Sequence, residues 1–115
     1  MIIGVIQDPQ FGPMVMFGLG GIFVEVFKDF SLRHAPLNER DAWEMAKEIK
    51  GYKILEGVRG GKRCDFEAIA EALMAVSQLA VDLGDSFSEI DINPLVVYPE
   101  GGGLKAVDCL FVKKG

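Results

Sequence analysis

Ser88-Glu89-Ile90-Asp91-Ile92-Asn93-Pro94-Leu95-Val96-Val97-Tyr98 is the stretch around which the chain is organised. Ile90 and Ile92 alternate with Asp91 and Asn93, the period of a strand with one apolar and one polar face. After a glycine-rich turn, Leu104-Lys105-Ala106-Val107-Asp108-Cys109-Leu110-Phe111-Val112 reads as the return strand. Val107, Cys109 and Phe111 match Ile90 and Ile92, while Asp108 matches Asp91 and Asn93. With a turn near Glu100 to Gly103, the two stretches form a hairpin. Asn93 and Asp108 then come opposite or nearly opposite each other. Directly opposed Cβ atoms lie about 4.5–5.5 Å apart, so the two side chains can share one hard cation. Mg²⁺ takes few protein oxygens and completes its shell with water and phosphate. One Asn with one Asp suits it and makes a poor zinc site. On spacing alone a plainer reading stands beside this one. Asn-Pro after a strand is a common turn signal, and a lone strand Asp is often simply solvated.

The rest of the chain is read outward from that hairpin. Its 115 residues make one domain or part of one, and an apolar share of 50% can bury a small core. The net charge of −5 argues against a general nucleic-acid binder, which needs a basic face. It leaves room for a nucleotide site, because a metal and backbone amides neutralise phosphate locally. No apolar run approaches the roughly 20 residues of a membrane span, and no basic segment precedes an apolar run at the N-terminus. A cytoplasmic protein is expected, with Cys64 and Cys109 as reduced, buried or partly buried thiols. Two Asn and three Gln in the whole chain hint at a thermophilic source.

Met1-Ile2-Ile3-Gly4-Val5-Ile6-Gln7 begins inside a strand, as a fragment or an internal start would. Asp8-Pro9-Gln10-Phe11-Gly12-Pro13 is a turn, and Met14 to Phe17 is a short strand. Gly18-Leu19-Gly20-Gly21 breaks it. This loop lets backbone approach a ligand and present amides to phosphate, although a tight β-turn explains it as well. Ile22 to Asp29 is rich in β-branched and aromatic residues and reads as the next strand. That assignment puts Glu25 on a face shared with Phe23 and Phe27. Phe30 to Ala35 reads as a further strand, closing a hairpin through Lys28-Asp29.

Asn38 caps a helix running to about Lys50, with Ala42, Met45, Ala46 and Ile49 as its apolar stripe. Gly51 terminates it, and Tyr52 to Glu56 forms one more turn. Gly57-Val58-Arg59-Gly60-Gly61-Lys62-Arg63 is a loop in which Arg59 offers a planar fork of donors to phosphate or carboxylate. A solvated cation is the equal alternative there. Asp65 caps the longest helix, to about Asp82, with Phe66, Ile69, Ala70, Leu73, Val76, Ser77 and Ala80 on one stripe. The element order β-β-β-β-α-α-β-β predicts an α+β domain, a mostly antiparallel sheet with two helices on one face. His34 has no acidic partner in sequence and reads as a surface histidine.

Several of these segments together resemble one family. Asp8-Pro9-Gln10-Phe11-Gly12-Pro13, Met16-Phe17-Gly18-Leu19-Gly20-Gly21-Ile22-Phe23-Val24-Glu25, Leu55-Glu56-Gly57-Val58-Arg59-Gly60 and Asp91-Ile92-Asn93-Pro94-Leu95 are similar to the ATP-grasp domain of ADP-forming acyl-CoA synthetases, relatives of succinyl-CoA synthetase β subunits. The resemblance covers essentially the whole chain. It implies the C-terminal, second lobe of an ATP-grasp fold over residues 1–115, with the first lobe absent. It implies an acid–CoA ligase that interconverts acyl-CoA, ADP and phosphate with free acid, CoA and ATP. A phosphohistidine held elsewhere carries the phosphoryl group.

The cofactors implied are Mg²⁺ and ATP or ADP. Asn93 and Asp108 are the implied metal ligands, and Gly18, Gly20 and Gly21 the loop at the nucleotide. Arg59 would neutralise transferring charge. Glu25 would order the metal shell or the phosphocarrier histidine. The implied partners are an upstream ATP-grasp lobe and a CoA-binding α subunit or domain, in an oligomer, without nucleic acid or membrane. His34 sits in neither histidine motif of the family. The isolated chain is expected to be inactive, because phosphoryl transfer needs both lobes to position the reactants. A non-catalytic interaction or dimerisation module derived from a half-domain is the alternative.

Overall fold

A computed structural model describes residues 1–57 and 61–114 of the chain, with the backbone alone for Ile22 and Phe23. The first two strands, β1 (Ile2–Asp8) and β2 (Gly12–Gly18), form a hairpin in which Ile2 pairs with Gly18 and Asp8 with Gly12. The Asp8 carboxylate accepts from the amides of Gln10 and Phe11 at 2.8 and 3.0 Å, which closes the turn.

The run from Ile22 to Asp29 is not a strand. Gly20 and Gly21 take φ of 102° and 55°, a left-handed path open to glycine. The chain then coils into one helical turn, α1 (Ile22–Glu25), whose Val24 and Glu25 amides donate to the Gly21 carbonyl. Glu25 therefore lies exposed on a helical turn and not on an aromatic strand face. The two glycines decide the path here over the local β-propensity. The next strand, β3 (Phe30–His34), pairs with β2, Met14 opposite His34 and Gly18 opposite Phe30. It does not close a hairpin through Lys28-Asp29.

Two helices follow the expected positions. In α2 (Glu39–Glu48) the Asn38 side chain accepts from the Asp41 amide at 2.8 Å. The short α3 (Tyr52–Leu55) is the extra turn. In α4 (Phe66–Leu83) all seven residues of the apolar stripe are buried. These helices cover one face of an antiparallel five-stranded sheet, order β3-β2-β1-β4-β7, completed by β4 (Phe87–Ile92) and β7 (Cys109–Lys113). Ile3, Val5, Val15, Phe17, Phe87 and Ile90 meet Met45, Ile69 and Leu73 in the core. Two hydroxyls buried there are satisfied. Ser31 Oγ donates to the Met45 carbonyl, and Ser77 Oγ accepts from the Leu37 amide while donating to the Met74 carbonyl. Cys64 is partly buried, and burial pushes its thiol up. Cys109 is exposed, contrary to expectation, because β7 is a sheet edge.

The last hairpin is longer and more kinked than expected. Each arm divides in two, with β5 (Leu95–Val97) and β6 (Leu104–Ala106) forming a separate two-stranded sheet. Pro94 has no N–H to continue the ladder, so the first arm breaks there. The register runs through the break nonetheless. Ile92 pairs with Cys109, the Asn93 amide donates to the Asp108 carbonyl, the Val107 amide donates to the Pro94 carbonyl, and Leu95 pairs with Ala106. The hairpin tip docks on the start of α4. Asp65 accepts from the Gly103 amide at 2.9 Å and caps the helix through the Ala68 amide at 3.1 Å. These amides, Gly103 first, hold the Asp65 carboxyl below its usual range.

Candidate functional site

The helices leave the second face of the sheet open. Pairing aligns its side chains in rows across the strands. One row runs Leu32, Met16, Gly4, Asp91, Leu110, and the next His34, Met14, Ile6, Glu89, Val112. Asp91 lies beside Gly4, which has no side chain, and a depression of about 150 Å³ opens there between Ile2, Ile6, Met16 and Leu32. One Asp91 oxygen, Oδ1, is buried and has no hydrogen-bond partner among the described residues. An unpartnered buried acceptor is costly in a fold, so its donor is to be sought beyond the described residues. Alternation had placed Asp91 on this face. Only the pairing of β1 with β4 shows that Gly4 leaves it room.

Asn93 and Asp108 stand on the same face, at the kink one residue beyond β4 and one before β7. Both are exposed. The Asp108 Oδ1 accepts from the Cys109 amide at 2.9 Å, which fixes the carboxylate. The glycine loop adjoins Asn93. A Cβ built on Gly20 would lie 3.7 Å from Asn93 Oδ1, so the loop backbone passes directly over the asparagine. Gly21 faces open space, with nothing within 4 Å of a built Cβ. At Gly18 a Cβ would meet Val24 Cγ2 at 2.8 Å and the Asp29 carbonyl at 3.0 Å. That glycine is required by packing.

The fold thus brings Gly20, Gly21, Asn93 and Asp108 to one end of the open face. Glu25 follows the loop on α1. Arg59 lies outside the described residues. No group of three His, Cys, Asp or Glu able to hold a metal occurs among the described residues. The donor set at the kink, an amide and a carboxylate, would leave most of an octahedral shell to water and phosphate, as Mg²⁺ prefers. His34, at the end of β3, packs edge-on against Phe11 of the β1–β2 turn, ring centroids 5.1 Å apart. No described helix is long and apolar enough to cross a membrane.

An antiparallel sheet backed by helices on one face thus carries a glycine loop and an Asn–Asp pair at the other. The chain belongs to the ATP-grasp domain family, which matches residues 1–112. Its relatives include ADP-forming ligases. It is 51% identical over its full length to the acetate–CoA ligase (ADP-forming) II subunit β of Pyrococcus furiosus, covering 49% of that protein. With the corresponding I subunit β it shares 54% identity over 100 residues, 87% of this chain and 43% of that one. Among solved structures, acetyl-coenzyme A synthetase 1 of Candidatus Korarchaeum cryptofilum superposes with a TM-score of 0.91 at 50% identity, over 98% of this chain and 52% of its own. That structure holds coenzyme A and Mg-AMPPCP, with a phosphohistidine segment pointing towards the nucleotide binding site. The chain spans about half the length of the curated relatives it matches.

Proposed function

We propose that this chain is the second, C-terminal lobe of the ATP-grasp domain of an ADP-forming acyl-CoA synthetase, and that it holds the magnesium–nucleotide. The intact enzyme would convert acyl-CoA, ADP and phosphate to acid, CoA and ATP through a phosphohistidine carried outside this chain. The observation that carries the reading is the continuous register placing Asn93 opposite Asp108 under the Gly20 backbone.

Asn93 Oδ1 and the Asp108 carboxylate would hold the metal, which when bound supplies charge neutralisation for the transferring phosphoryl group. The loop amides at Gly20 and Gly21 would present N–H groups to phosphate. Arg59 would neutralise charge on the transferring phosphoryl group, and Glu25 would order the metal shell or the phosphocarrier histidine. Further partners would be an upstream lobe, which closes the other side of the cleft, and a CoA-binding α subunit or domain. The setting would be cytoplasmic, in an oligomer. The isolated lobe would not turn over, because it positions one side of the reactants only.

Calorimetric titration of Mg·ADP into the ligase, with and without Asn93→Ala plus Asp108→Ala, tests this. Nucleotide binding that weakens sharply in the double variant supports the site. Unaltered Mg²⁺-dependent binding and turnover sink it. Self-association of the chain without any nucleotide response, in isolation or in assembly, would instead favour an interaction module.

A further inference from the structure

Leu19 is the one side chain in the Gly18-Leu19-Gly20-Gly21 loop, and it is partly buried. Its seat is Gly51, the residue before α3. A Cβ on Gly51 would fall 2.9 Å from Leu19 Cγ, nearer still to Leu19 Cδ1, and 3.3 Å from Asp29 Oδ2. Gly51 has φ −70° and ψ 0°, a conformation open to any residue. The glycine is therefore there for space and not for its backbone freedom. Asp29 closes the same corner. It is only 7% exposed, and its two carboxylate oxygens accept from the amides of Lys50 and Gly51. Its carbonyl oxygen lies beneath Gly18, 3.0 Å from where a Cβ would be. Gly18, Asp29, Gly51 and Leu19 thus form a closed ring of contacts joining the loop to the α2–α3 corner.

We infer that Gly51 and Asp29 are positioning residues for the nucleotide loop: Gly51 seats Leu19, Asp29 locks Gly51, and the pair set the path of the Gly20 backbone over Asn93. The inference rests on the reading of that loop as the nucleotide contact. A Cβ at position 51 displaces Leu19. Gly18 is held by packing, so the displacement passes forward into the backbone at Gly20, whose φ of 102° marks the freer side of Leu19.

The test uses the intact ligase with its partner parts assembled, and compares Gly51→Ala, Leu19→Ala, the double variant and Asp29→Asn. The readouts are KM for ADP, kcat and the thermal midpoint. Gly51→Ala is expected to raise KM for ADP about tenfold with kcat within threefold, a ground-state positioning pattern. The double variant is expected within twofold of Leu19→Ala alone, since removing the side chain removes the clash. Asp29→Asn keeps the shape, loses one acceptor and should raise KM in the same direction. It also serves if Gly51→Ala fails to fold. An unchanged KM in a folded variant, or a fall in kcat that tracks the thermal midpoint alone, overturns the inference. So does a KM increase that Leu19→Ala leaves in place. If these variants fail while Asn93→Ala still abolishes Mg²⁺-dependent turnover, the site stands and only the clamp falls. If Asn93→Ala is also silent, the reading of the site falls first.

Discussion

Asn93 faces Asp108 across the hairpin, its amide donating to the Asp108 carbonyl at 3.1 Å while both side chains remain exposed. The backbone bond does not depend on the Asn93 side chain. Asn93→Ala should therefore leave stability within about 0.5 kcal/mol of the parent. Turnover of the intact ligase should drop about 100-fold, because the variant loses the Asn93 Oδ1 proposed to hold the metal. Initial rates against Mg²⁺ concentration, beside a urea melt, check both halves. A variant that melts early and loses activity in proportion would contradict the assignment.

Ser77 is fully buried in α4 and accepts from the Leu37 amide at 3.0 Å. Ser77→Ala strands that amide away from water. The expected cost is about 1–3 kcal/mol, read as a lower urea midpoint at unchanged slope. An unshifted midpoint would mean that Leu37 finds another acceptor.

Leu73 and Leu79 share α4 but not an environment, being 0% and 47% exposed. Leu73→Ala should cost about 2–5 kcal/mol through the cavity it leaves. Leu79→Ala should stay within about 0.5 kcal/mol. Equal losses would place the core on the wrong face of the helix.

Asp65 is held in its charged form by the Gly103 and Ala68 amides, so its folded pKa lies below the unfolded value of about 3.9. Its contribution is complete above that value and is lost as pH falls through the folded pKa. The stability gap between wild type and Asp65→Asn should be widest near neutral pH and narrow below about pH 4. Denaturation midpoints at several pH values show this, and a gap that widens on acidification would refute it.

The buried Asp91 Oδ1 has no partner among the described residues. Asp91→Ala should leave this chain as stable as before, or more stable by about 1 kcal/mol, while lowering turnover in the intact ligase. A clear loss of stability would show that the carboxylate is already satisfied in the fold.

Much of this architecture was legible in the residues, for reasons that differ by element. The α2 and α4 stripes emerge because 3.6-residue periodicity and the caps Asn38 and Asp65 agree with the packing. The Asn93–Asp108 register emerges because a period of two survives the kink. The segment after Gly21 has the β-branched composition of a strand, whereas two positive-φ glycines set its path as a helical turn. The depression beside Asp91 depends on Gly4, 87 residues earlier in the chain, and no local pattern reports that pairing. Gly51 looked like a helix stop. Only the position of Leu19 shows that what matters there is the missing methyl group.

The unbroken register has a consequence for chain length. Side chains alternate faces, so one residue added to either arm between the kink and the tip would shift the pairing of Asn93 and Asp108. It would turn one of them to the helix side. A residue added at the tip itself, between Tyr98 and Gly103, would leave the arms in register. Homologous chains should therefore vary in length at that tip and keep both arms free of single insertions.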